Sequence, residues 1–289
     1  MFALVGGNGY VGTAFQKYLK ASGLPFQNVS RADLDYYDRA RLTAYLRELQ
    51  PQFLINAAGF TGRPNVDACE LQKTECLNGN AILPGVLRDV CEDLQLPWGH
   101  VSSGCIYTGE KADGSGFTED DEPNFSFRHN NCSFYSGCKA LGEEILEGAE
   151  QCYVWRLRIP FDEFDSPRNY LSKMMRYDRL LQARNSLSHL AQFVESCVTC
   201  WTKRVDFGLY NLTNPGAVTT RDVVDMLQRL RFPDKQFDFF DSEAEFMQVA
   251  ASTPRSNCVL DSSKAIAAGL PLSPVEEVIE QSINNWTVS

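Results

Sequence analysis

Phe2-Ala3-Leu4-Val5-Gly6-Gly7-Asn8-Gly9-Tyr10-Val11-Gly12 opens the chain with four apolar residues, a glycine-rich turn and the start of an amphipathic stretch. Phe2–Val5 reads as a buried strand and Val11–Ser22 as a helix, with Gly6, Gly9 and Gly12 spaced G-x-x-G-x-x-G between them. Glycine permits the tight turn, lets a pyrophosphate approach the backbone, and allows close helix–strand packing. The helix start adds free N–H groups and the positive end of its dipole. Glycines also mark ordinary turns. The order strand–turn–helix is what points to a dinucleotide, held by Gly6, Asn8, Gly9, Tyr10, Val11 and Gly12.

The rest of the first half alternates short apolar runs (Phe26–Val29, Phe53–Ile55, Trp98–Ser102, Val154–Leu157) with amphipathic stretches (Arg39–Leu49, Lys73–Leu94, Tyr135–Leu146). That is the pattern of a parallel sheet wound with helices. Beyond Pro160 the pattern loosens: Asn169–Gln182, Leu187–Trp201, Thr220–Leu230 and Val275–Trp286 read as helices, and Leu209–Leu212 as a strand returning to the sheet. The expected fold is α/β, a Rossmann-type doubly wound parallel sheet in residues 1–158 completed by the strand near 209–213. Residues 159–289 are expected to form mainly a smaller, mixed α/β substrate lobe.

The 289 residues are 44% hydrophobic, enough for a sizeable core. No apolar run nears the ~20 residues that span a bilayer, and the start does not resemble a secretion signal. A soluble, cytoplasmic protein without a membrane partner is expected. The formal charge of −10 argues against nucleic acid, whose phosphates demand a basic surface. The ten cysteines are scattered through a long chain and read as reduced thiols. Cys197-x-x-Cys200 has metal-like spacing but no second pair, so no metal is expected.

Ser103-Gly104-Cys105 and Phe134-Tyr135-Ser136-Gly137-Cys138-Lys139 carry the chemistry. Tyr-x-x-x-Lys puts a phenol and an ammonium on one helix face, one turn apart. A cation there is expected to draw the Tyr135 phenol below its free value of about 10. With Ser103 holding a carbonyl oxygen beside it, the set suits carbonyl reduction by a nicotinamide, whose ribose Lys139 would hold. Cys105 adds a thiol to the same centre. The form of cofactor turns on Asn28-Val29-Ser30-Arg31, which lacks the acid that would accept from a ribose 2′-hydroxyl. Ser30 and Arg31 suit a 2′-phosphate, Asp35 the adenine amine, and Ala57, Ala58 and Gly59 the cofactor side of the third strand. NADPH is expected, with NADH the second candidate.

Together these residues resemble the extended short-chain dehydrogenase/reductases that act on nucleotide sugars. Asp33-Leu34-Asp35, Asn56-Ala57-Ala58 and Val66-Asp67-Ala68-Cys69-Glu70 are similar to blocks of the dTDP-4-dehydrorhamnose reductase branch. Gly62-Arg63-Pro64-Asn65-Val66-Asp67, Gly104-Cys105-Ile106, Pro167-Arg168-Asn169 and Pro254-Arg255-Ser256-Asn257 are similar to segments of bifunctional UDP-4-keto-6-deoxyglucose 3,5-epimerase/4-reductases, which form UDP-L-rhamnose. The resemblance covers nearly the whole chain. It implies a reductive triad of Ser103, Tyr135 and Lys139 and an epimerising pair of Cys105 and Lys173. It also implies a substrate surface drawn from Thr61, Gly62, Arg63, Asn65, Asn169 and Arg255. The implied partner is a UDP- or dTDP-4-keto-6-deoxy sugar, and a homodimer would suit the family. Two departures stand out: Arg128-His129-Asn130-Asn131-Cys132 adds loop length, and Gly137 stands where a lysine is usual.

On that reading Cys105 and Lys173 act as base and acid on opposite sides of the ring at C3 and C5, while Ser103 and Tyr135 hold the enolate oxygen. Free cysteine and lysine titrate near about 8.5 and 10.4, so the site must tune both. Hydride then passes to C4 and Tyr135 protonates the oxygen. The alternatives are a monofunctional dTDP-4-dehydrorhamnose reductase, a GDP-4-keto-sugar epimerase/reductase, and a non-catalytic, reductase-like regulatory subunit. Retention of both Tyr135 and Lys139 speaks against the last. His100, His129 and His189 show no ligand spacing, and Asn80 is either a support of the site or a structural cap.

Overall fold

Six strands form one parallel sheet in a computed structural model that describes residues 1–288: β1 (Phe2–Val5), β2 (Phe26–Val29), β3 (Phe53–Asn56), β4 (Trp98–Ser103), β5 (Cys152–Leu157) and β6 (Gly208–Asn211). Their spatial order is β6-β5-β4-β3-β1-β2. The helices are α1 (Tyr10–Ala21), α2 (Arg39–Leu49), α3 (Lys73–Leu77), α4 (Leu83–Leu94), α5 (Phe134–Ile145), α6 (Tyr170–Arg176), α7 (Leu190–Thr202), α8 (Thr220–Leu230), α9 (Glu243–Val249), α10 (Ser263–Ala267) and α11 (Val275–Asn284). The chain leaves β1 through α1 to reach β2 on one side, then crosses back through α2 to β3 on the other. That reversal opens a crevice at the C-terminal ends of β1 and β3, where open α/β sheets take their ligands.

Alternate strand residues serve opposite faces. Phe2, Leu4, Phe53, Ile55 and Trp155 pack with Phe15 of α1 and Phe193 of α7, whereas Ala3, Val5, Leu54, Trp98 and Val154 pack with Leu42 of α2 and Leu87 of α4. The returning strand is β6, parallel to β5. A third cluster, with Phe161, Leu171, Leu187, Val223 and Ile279, forms the core of the C-terminal segments. Among the described residues no helix is long and apolar enough to cross a membrane.

Lys73–Leu94, expected as one helix, carries a π-helical segment at Asn78–Ile82 between α3 and α4. The widened segment puts Pro84 in the first turn of α4, where a missing N–H costs least. The expected helix at Asn169–Gln182 ends at Arg176, because Arg179–Leu180 pairs in parallel with Asp238–Phe239. Likewise Ser188–His189 pairs with Pro160–Phe161 before α7 begins. In both places a partner far along the chain overrides a locally helical pattern. By contrast α8 spans Thr220–Leu230 as read, fixed at its start by a reciprocal Thr219–Asp222 cap.

A buried ion pair orients α5. Arg156 of β5 reaches Glu143 at 2.8 Å, Ser102 donates to the same carboxylate at 2.5 Å, and Arg156 also donates to Asn211 of β6. This network fastens the helix bearing Tyr135 and Lys139 to three adjacent strands.

Candidate active site

Gly6 turns the chain at the end of β1 with φ +80°, and any side chain there would strike the Ala58 backbone at 2.4 Å. A Cβ on Gly12 would come within 2.1 Å of the Gly6 carbonyl. The loops after β1 and β3 therefore touch backbone to backbone, with α1 packed on the first. Gly9 begins α1 without a side-chain cap and the first turn carries no acid, so its N–H groups face the crevice free for an anion. Asn8 accepts from Asn28 at 3.1 Å, Val11 is half-buried, and the Tyr10 hydroxyl donates to Asp162 at 3.4 Å. Burial, then Asp162, holds the Tyr10 phenol above its usual range.

After β2, the Ser30 hydroxyl accepts from Ala32 N and the Asp35 carboxylate from Tyr37 N, shaping one loop. Arg31 on that loop is exposed and makes no ion pair among the described residues. The loop thus holds an unneutralised cation beyond the end of β2, a fit for a nucleotide's 2′-phosphate. Gly59, following Ala57 and Ala58, leaves space near Lys139: a Cβ there would sit 3.5 Å from its Nζ.

β4 delivers Ser103, whose hydroxyl accepts from Cys105 N at 3.2 Å. Ser133 caps α5 and turns Tyr135 and Lys139 inward, only 8% and 5% exposed. The expected lowering of the Tyr135 phenol is overturned: burial, reinforced by Cys105, lifts it well above its usual range, against the opposing pull of the nearby Ser103 hydroxyl. Spacing sets a shared helix face but not where a four-carbon chain ends. Lys139 Nζ donates to the Val101 carbonyl at 3.2 Å, and burial pushes the ammonium down to about 8.

Cys105 is half-buried, and its sulfur accepts from Arg158 at 3.3 Å. The sequence reading missed Arg158. Its signal was Arg156-Leu157-Arg158, two arginines two residues apart at the end of an interior strand, where charge is out of place. The next residue, Ile159, has φ +36°, a strained backbone for a β-branched side chain and worth about 1–3 kcal/mol.

Lys173 lies half-buried on α6 without an acidic partner among the described residues. Burial first, then the charges of Arg168 and Arg255, hold its ammonium below the usual lysine range. Arg168 donates to the Gly62 carbonyl at 2.8 Å, and Arg255 grips Asp67 through both terminal nitrogens at 2.6 and 2.7 Å. These contacts join the loop after β3 to the C-terminal segments. Arg255, expected on the substrate surface, is thus engaged with a carboxylate.

One further expectation changes. The Asn169 amide donates to Asp162 and Phe164 while its oxygen caps α6, so the fully buried side chain has nothing left for a substrate. The Asn65 oxygen accepts from Asp67 N and starts a 3-10 turn. Thr61 is half-buried, Gly62 turns the loop with φ +64°, and Arg63 is exposed. Gly137, the odd residue beside Cys138, lets the Phe127 ring lie on α5: a Cβ would meet that ring at 2.3 Å. Arg128, the first residue of the extra loop, pairs with Glu144 of the same helix at 2.7 Å, so the loop is tied to α5.

Asn80, in the π-helical segment, accepts from Phe60 N and donates to Phe60 O and Cys76 O. It clamps the strand-end loop that carries Gly59. Asn80→Ala would leave these backbone groups unpaired, and the expected loss is about 1–3 kcal/mol in urea unfolding with weaker dinucleotide binding. Unchanged stability and affinity would refute the clamp.

The family model described as the RmlD substrate binding domain matches residues 1–288. A trifunctional UDP-glucose 4,6-dehydratase/UDP-4-keto-6-deoxy-D-glucose 3,5-epimerase/UDP-4-keto-L-rhamnose-reductase of Arabidopsis thaliana is 34% identical across 91% of this chain, which spans only 39% of that protein's length. A bifunctional dTDP-4-dehydrorhamnose 3,5-epimerase/dTDP-4-dehydrorhamnose reductase of the same plant is 32% identical, with 91% of this chain and 85% of that protein aligned. In fold, the chain is similar to the UDP-rhamnose synthase of Acanthamoeba polyphaga mimivirus, with a TM-score of 0.90, 22% identity and 99% of both chains covered.

Proposed function

The chain belongs to the family of the RmlD substrate binding domain, and from that premise we propose that it is an NADPH-dependent 4-reductase of a 4-keto-6-deoxy sugar nucleotide that first epimerises C3 and C5. The proposed substrate is UDP-4-keto-6-deoxy-D-glucose and the product UDP-L-rhamnose. One observation carries the epimerase half: the Cys105 sulfur, held by a guanidinium, lies beside the Ser103–Tyr135–Lys139 group. The names of the two plant relatives, which couple a 3,5-epimerase with a reductase, support the same reading.

In this proposal residues 1–158 with β6 hold the dinucleotide, through the Gly6–Gly12 loop, Gly59 and Arg31, and residues 159–289 supply most of the sugar side. Bound NADPH supplies hydride to C4. Cys105 takes a proton from carbon on one side of the ring, and Lys173 delivers one on the other. Its lowered ammonium gives up a proton more readily than an ordinary lysine's. Ser103 and Tyr135 direct their hydroxyls at O4, where negative charge develops. A phenol held neutral by burial is a ready donor to that oxygen, and Lys139 helps the phenol give up its proton.

Turnover with NADPH in deuterium oxide tests the whole reading. The product is expected to carry solvent deuterium at both C3 and C5, with faster turnover of the UDP than the dTDP substrate. NADPH oxidation without label at either carbon would reduce the function to a 4-reductase.

A further inference from the structure

Arg158 borders the site and has no part in the chemistry proposed above. Its side chain is buried, and no carboxylate pairs with it among the described residues. One terminal nitrogen donates to Asn185 Oδ1 at 2.6 Å and to the Ser256 carbonyl, the other donates to Cys105 Sγ, and Nε has no partner. Every anchor except the sulfur is a neutral oxygen.

A guanidinium keeps its charge at any working pH, and a buried charge needs an anion to offset lost solvation. Four ionisable groups face it from four elements: Cys105 after β4, Tyr135 on α5, Tyr170 on α6 and Cys258 in the C-terminal segment. Three are held neutral. Cys258 donates its S–H to the Gly104 carbonyl at 3.3 Å, and burial lifts both tyrosines well above their usual range. Cys105 is half-exposed, accepts from the guanidinium, and its sulfur donates to nothing among the described residues. Lys139, the other cation near that sulfur, adds to the same field.

We infer that Arg158 is a positioning residue that fixes the Cys105 sulfur within the cleft through its N–H···S contact and favours the sulfur's anionic form when it takes up or releases a proton. Its purpose rests on the epimerase reading, although the pair itself needs no substrate. The step balances: a ring C–H bond breaks, its proton joins the sulfur, its electron pair enters the enolate, and Arg158 keeps all its protons.

Alkylation by iodoacetamide tests the pair, since the thiolate sulfur displaces iodide. The full chain is used with Cys132→Ser, which removes the other cysteine that is not buried. The parent is expected to react at Cys105 at pH 6.5, which sets the reference rate for the variants. Arg158→Gln should slow the reaction at pH 6.5 at least tenfold and catch up by pH 9.5, and Arg158→Lys should restore part of the rate.

Should Arg158→Gln not fold, Asn185→Asp decides. It keeps the arginine but offers its guanidinium a carboxylate at the 2.6 Å contact, so neutral-pH alkylation should fall about tenfold and the ratio of deuterium exchange to reduction should fall with it. Rates unmoved in these variants would overturn the pair. A parent that alkylates fast at neutral pH yet exchanges no deuterium would uphold the pair and remove the epimerase reading.

Discussion

Cys105→Ala is expected to lower deuterium exchange at C3 and C5 about 10²–10⁴-fold, the range for removing a general base, while reduction of a pre-epimerised UDP-4-keto-L-rhamnose stays within about tenfold. The split follows from position. Cys105 lies on the turn after β4, and its backbone N–H donates to the Ser103 hydroxyl. Alanine keeps that N–H, so Ser103 stays in place for the carbonyl. The sulfur is what is lost, and with it the proton acceptor. Its removal also leaves Arg158 without its sulfur partner, so a modest loss of stability is expected alongside. Single-turnover exchange monitored by NMR, run beside NADPH oxidation on the pre-epimerised sugar, separates the two activities. Exchange persisting at the parent rate would show that another group takes the proton. Equal collapse of both activities would mean that the thiol shapes the site instead of acting in it.

The sheet was legible in the sequence because its strands are short apolar runs bounded by glycine, asparagine and serine, with helix-period stretches between them. Phe2–Val5 and Thr220–Leu230 fall where the pattern puts them. The C-terminal segments were less legible. Pairs such as Ser188–His189 with Pro160–Phe161 exist only because distant backbone arrives beside them, and no local pattern encodes that.

The site shows the same division. Ser103, Cys105, Tyr135 and Lys139 lie together as expected because one strand end and one helix turn fix them. What sequence could not give is the direction of polar side chains. Asn169 was read as a substrate contact, but its buried amide is taken up by Asp162, Phe164 and the Leu171 N–H. Arg255 finds Asp67, 188 residues away. For Arg158 the sequence carried only the odd placing of a charge at the end of an interior strand; that no carboxylate pairs with it among the described residues is a property of the folded surroundings.

Lys139→Met is expected to do two opposed things: lower the rate of NADPH oxidation about 10²–10⁴-fold and stabilise the protein without ligand near neutral pH. Burial brings the ammonium from 10.5 down to about 8, outweighing the nearby Cys105 and Glu143. Between those values the unfolded chain binds a proton that the native state releases, so this group opposes folding fully below pH 8. Its opposition fades as pH rises through 8 towards 10.5. At about 1.4 kcal/mol per unit, the ceiling is about 3 kcal/mol. The Val101 carbonyl loses a donor in the variant, which trims the expected gain to about 1–2 kcal/mol. Urea unfolding of both proteins from pH 6.5 to 10 should show methionine ahead at the acid end and the gap closing through the window. A gap that stays constant, or a lysine protein that is the more stable at pH 7, would mean that the ammonium is well satisfied in its pocket. The residue would then be a structural cation, and the rate loss would have to come from the missing positive charge alone. With the predicted sign, the site holds a destabilising charge in place because the reaction needs it beside Tyr135.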